Sequence, residues 1–84
     1  MKLTTTLKNI HTATADGMVR FTIDNIDEVV IEIYVNAELY DNTMLCYGEE
    51  GHPNLRVLDI PLLKGDIVSG KALANDSANI NYNT

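Results

Sequence analysis

Alternation with a period of two constrains this chain more than any other feature. In "MVRFTID" the residues Val19, Phe21 and Ile23 share one side, and Arg20, Thr22 and Asp24 share the other. In "VVIEIYV" the set Val29, Ile31, Ile33 and Val35 lines one side, with Val30, Glu32 and Tyr34 opposite. Successive side chains of a strand point to opposite faces, so these runs read as strands with one apolar face. Their β-branched and aromatic content agrees. A helix over 27–40 would mix Glu32 and Asn36 into its apolar stripe, which argues against it.

The same reading extends along the chain. "LRVLDIPLL" sets Arg56, Leu58, Ile60 and Leu62 as the better core face, against Leu55, Val57, Asp59 and Pro61. Pro61 has no amide proton to donate to a ladder, so this segment belongs at a sheet edge or strand end. Lys64-Gly65-Asp66 makes a turn, and Ile67-Val68 opens the next strand. A last strand is expected near Ala78–Tyr82. Breaks fall at Ala15-Asp16-Gly17, 24–27, Asn36-Ala37, 48–54, 64–66 and 70–77. Short strands at this spacing predict an all-β fold, a single small antiparallel sandwich of about six to eight strands. With 84 residues the chain makes one domain, 1–84. Residues 1–9 read as a docking arm, and 74–84 as a polar tail or edge strand.

A domain this small buries only about 60% of its unfolded surface, which favours oligomerisation. Cys46 is the only cysteine, so no disulfide forms within the chain. Between Leu45 and Tyr47, and with no local base, it reads as a small core residue. A net charge of −6, from 12 acidic and 6 basic residues, repels phosphate backbones. Nucleic acid and anionic membranes are therefore not expected partners. No apolar run reaches membrane-spanning length, and "MKLTTTLKN" has no apolar segment of a signal peptide. Synthesis in a cytoplasm without general secretion is the expectation.

Chemistry-bearing patterns are sparse. The acids at 16, 24, 27, 28, 49, 50 and 66 fall in expected turns, where turn chemistry and solubility explain them. "EEGHPN" brings Glu49, Glu50 and His52 into one loop, a weak candidate metal site. No phosphate loop, nucleophile elbow or spaced Cys/His set is present, and no cofactor or catalysis is expected. The tyrosines say more. If the Val29/Ile31/Ile33 stripe is core, Val30 and Tyr34 point outward, and outward aromatics mark contact surfaces. Val30, Tyr34, Tyr40 and Tyr82 are the expected contact residues. Asp16, Gly17, Gly65 and Asp66 are the expected structural turns, with Gly17 at positive φ.

Three segments in order carry a resemblance: "TATADGMVRF", "VVIEIYVNAELYDN" and "IPLLKGDIVSG". Over roughly residues 10–70 they resemble the small jelly-roll modules, of C1q/tumour-necrosis-factor type, in phage head fibres, decoration proteins and receptor-binding tips. In those modules Asp-Gly sits in a hairpin that leads into an alternating strand. One position departs: Ala37 stands where a primed turn favours glycine. The resemblance implies a non-enzymatic virion structural protein that assembles with itself, as a trimer, and docks on a larger virion protein. A small acidic inhibitor of a host defence protein, of anti-CRISPR or anti-restriction type, fits the same size and charge. A sugar-binding module using Tyr40, Tyr47 and 49–52 is a third expectation.

Overall fold

The computed structural model describes residues 1–25, 29–46, 54–73 and 78–83. Within them the chain is all β, with eight strands: β1 (Lys2–Leu3), β2 (Lys8–Thr12), β3 (Gly17–Asn25), β4 (Val29–Val35), β5 (Glu38–Cys46), β6 (Asn54–Leu62), β7 (Ile67–Ala72) and β8 (Ala78–Asn83). They form two antiparallel four-stranded sheets, ordered β1-β8-β3-β6 and β2-β7-β4-β5.

The order has a simple origin. β1 pairs with β8, β2 with β7, β3 with β6 and β4 with β5, so each pair sums to nine. The chain is one long hairpin rolled on itself, which is the order of an eight-stranded jelly roll. The centre of that hairpin is the Asn36-Ala37 turn. Both residues have positive φ, 52° and 65°, as a type I′ turn requires, and Val35 pairs with Glu38 across it. The turn therefore forms with alanine in the position that favours glycine.

The alternation read from the sequence holds in three dimensions. Val19, Phe21, Ile23, Ile31 and Ile33 are buried between the sheets, and Ile60, Leu62, Val68 and Ile80 join them. Leu58 and Val35 are partly buried against this core. β6 is an edge strand, which accounts for Pro61 within it.

Four expectations are corrected. Asp16-Gly17 does not join two paired strands. β2 and β3 lie in different sheets, so this segment carries the chain across the sandwich. The strand before it is Lys8–Thr12. The first nine residues are not a free arm, because Lys2–Leu3 pairs with β8 and Lys8–Asn9 with β7. Leu3 is fully buried, and apolar burial of this kind holds a terminus down. β8 is not a tail or an outermost strand; it lies between β1 and β3. Finally, β7 does not stop at Gly70 but runs to Ala72. Gly70 faces the core, where an added Cβ would lie 3.0 Å from Ile10 Cδ1 and 3.2 Å from the Glu32 carbonyl oxygen. The residue reports close packing there, and no break.

Candidate contact surface

Two arrangements of chemistry-bearing residues emerge, one at an end of the sandwich and one on an outer face. The end is built from three turns. Leu63 to Asp66 forms a β-turn in which the Asp66 amide donates to the Leu63 carbonyl at 3.0 Å, with Gly65 at φ 93°. A glycine with positive φ in the third position is the requirement of a type II turn. The Asp66 carboxylate accepts from the Leu63 amide at 2.8 Å and from Asn36 Nδ2 at 3.0 Å. The Asn36 Oδ1 in turn accepts from the Ile67 amide at 2.9 Å. On the other side, the Lys64 amide donates to Asp16 Oδ1 at 2.7 Å, and the Gly65 amide to the Ala13 carbonyl at 2.8 Å.

The four turn residues expected from the sequence, Asp16, Gly17, Gly65 and Asp66, thus meet at one place. The hydrogen bonds from Asn36 and then Leu63 hold the Asp66 carboxyl below its ordinary value. Gly17 has φ 148°, in the range that favours glycine, with open space around its α-carbon.

The outer face belongs to the β2-β7-β4-β5 sheet. Because Ile31 and Ile33 point into the core, Val30, Glu32 and Tyr34 point out. Register places Tyr34 beside Ser69 on β7 and beside Leu39 on β5, and Glu32 beside Lys71. The Tyr34 hydroxyl donates to Glu32 Oε1 at 3.2 Å, and Lys71 Nζ lies 3.6 Å from the same oxygen. The pair cancels its own charge on a strongly acidic chain. Around it stand half-buried Val30 and Tyr34 and exposed Leu39 and Ile67. Ser69 is buried although it faces outward, so its neighbours already cover it.

Of the four expected contact residues, this face unites Val30 and Tyr34. Tyr40 is exposed instead at the hairpin tip, lining a shallow groove of ≈ 330 Å³ with Val35, Asn36, Glu38 and Leu39. Tyr82 lies on the inward side of β8 opposite Phe21, and its ring sits 4.3 Å from that of His11. It closes the margin between the sheets while remaining half exposed. His11 Nε2 is buried there without a hydrogen-bond partner.

Leu39, Ile67, Ser69 and Lys71 were not singled out from the sequence. The signal was present in "IVSGKA", where Ile67, Ser69 and Lys71 alternate with Val68, Gly70 and Ala72. The glycine disguises that strand.

Glu49, Glu50, His52 and Tyr47, and with them most of the expected metal and sugar sites, lie outside the described residues. Among the described residues no group of three or more His, Cys, Asp or Glu side chains is placed to hold a metal ion. Among the described residues no helix is long and apolar enough to cross a membrane. No protein-family model matches the chain, and no curated protein and no solved structure matches it either.

Proposed function

We propose that this chain is a non-enzymatic structural protein of a phage virion, a capsid-decoration or fibre-cap module that binds a larger virion protein. The observation that carries the reading is the outer face of the β2-β7-β4-β5 sheet. There Val30, Tyr34, Leu39 and Ile67 surround the self-neutralised Glu32–Lys71 pair. Aromatic and aliphatic side chains on a rigid sheet supply buried area at low entropy cost, and a charged pair that neutralises itself leaves no unpaired ion at that point to desolvate. The jelly-roll order supports a virion as the setting, since it recurs in viral capsid domains. Lectin and cupin domains use it too, so the face carries the argument and the fold only agrees with it.

Detection of the chain in gradient-purified virions tests the proposal. The expected result is co-purification in fixed stoichiometry, with loss from virions when Tyr34 becomes lysine. A chain absent from virions and recovered with one stoichiometric host enzyme would favour the inhibitor reading, for which the charge of −6 is the argument.

A further inference from the structure

The two open margins of the sandwich are built differently. At one, β1 has two residues and β2 has five, with a register irregularity between Asn9 and His11. Lys2 and Lys8 are exposed there, and Lys8 Nζ reaches the Lys2 carbonyl at 3.4 Å. Short strands, bulges and lysines are the devices that stop one sheet edge from pairing with another.

At the other margin, β5 and β6 have nine residues each. β5 is paired with β4 through two register irregularities, whereas β6 matches β3 without a break from Asn25–Asn54 to Gly17–Leu62. β6 is therefore the long, regular edge. The Asp59 carboxylate, which could guard it, is drawn back over its own sheet by Arg20, at 2.9 and 3.2 Å. Val57 stands 46% exposed on the outer side, and inward-facing Leu58 is covered only in part.

We infer that β6 is a self-association edge, where two copies of this chain pair their β6 strands antiparallel about a two-fold axis at Val57. Pro61 sets the register. It offers no amide proton, so the pairable run is residues 54–60, and the middle of that run is Val57. Asn54 of one copy then opposes Ile60 of the other, and Val57 opposes Val57. Directly opposed residues of an antiparallel pair share a face, so each core continues beneath one eight-stranded sheet. The contact is isologous and closes at two copies. It satisfies the free backbone groups of both edges and enlarges a core that is marginal at 84 residues.

Light scattering across a micromolar concentration series, on wild type and on V57K and V57E, tests this. Val57 is exposed, so both variants should fold, which their melting curves check. The wild type is expected to be dimeric. Like charges facing each other at the axis should weaken dimerisation about fivefold in each variant alone, and an equimolar mixture should recover it as a V57K–V57E heterodimer. A wild-type monomer, a trimer, a dimer indifferent to V57K, or a mixture that fails to pair would each overturn the inference. The Tyr34 face is untouched by these variants, so binding to virions is scored independently.

Discussion

Replacing Ala37 by glycine should stabilise this protein, and the neighbouring replacement of Asn36 should do the opposite. Both residues hold positive φ, 52° and 65°, at the centre of the rolled hairpin. For an L-residue other than asparagine or aspartate, the left-handed conformation costs about 1–2 kcal/mol. Glycine removes that cost but adds freedom to the unfolded chain, worth about 0.4–1 kcal/mol. Ala37 is exposed, so its methyl group loses little by leaving. The net gain for Ala37→Gly is ~0.5–1 kcal/mol, a rise in Tm of roughly 2–8 °C for a domain of this size. Asn36 differs because its side chain is engaged, with Nδ2 on Asp66 and Oδ1 on the Ile67 amide. Asn36→Gly gives up both bonds, each worth about 0.5–1.5 kcal/mol, and relieves little strain. Circular dichroism melts and urea titrations of the two variants beside wild type decide the matter. If Ala37→Gly lowers Tm, or both substitutions shift it the same way, the turn geometry has been misassigned.

Three further outcomes follow from the same structure. Gly17→Val should cost about 1–3 kcal/mol through backbone strain alone, since no atom crowds the new side chain; an unchanged melting curve would mean that Gly17 is not at positive φ. Gly70→Ala should cost about 1–3 kcal/mol by overpacking against Ile10, Ile33 and the Glu32 carbonyl, and a variant as stable as wild type would show that the sheets separate there at no cost. Asp66 contributes stability that is fully present above the ordinary carboxylate range and is lost as pH falls through its lowered folded-state value. The Tm advantage of wild type over Asp66→Asn should therefore shrink on acidification, and a gap constant with pH would sink that assignment.

Much of the fold was legible because strand alternation is local. The assignment of Phe21, Ile23, Ile31, Ile33, Ile60 and Leu62 to the interior needed only a period of two and a choice of the more apolar side. The turns were legible for the same reason, from the backbone preferences of Asp-Gly, Asn-Ala and Lys-Gly-Asp. Gly70 shows where that reading fails. A glycine in a strand reports crowding by atoms distant in sequence, here Ile10 and Ile33, and local rules took it for a break. The candidate surface was half legible. Val30 and Tyr34 emerged from alternation within β4, whereas Leu39, Ile67 and Lys71 joined them through register between strands.

By itself, then, the sequence determined the alternating runs at the centres of β3, β4 and β6, the apolar side of each and the turns at Asp16-Gly17, Asn36-Ala37 and Lys64-Gly65-Asp66, because each follows from a residue and its near neighbours. Tertiary structure alone decided which strands pair. The rolled hairpin brings Leu3 against Ala78, and it makes Asp16 a clasp on Lys64 in place of a hairpin corner. It also leaves β6, and not β8, at the edge. Partner choice is settled by how the two faces close over one core, and no local period encodes that closure.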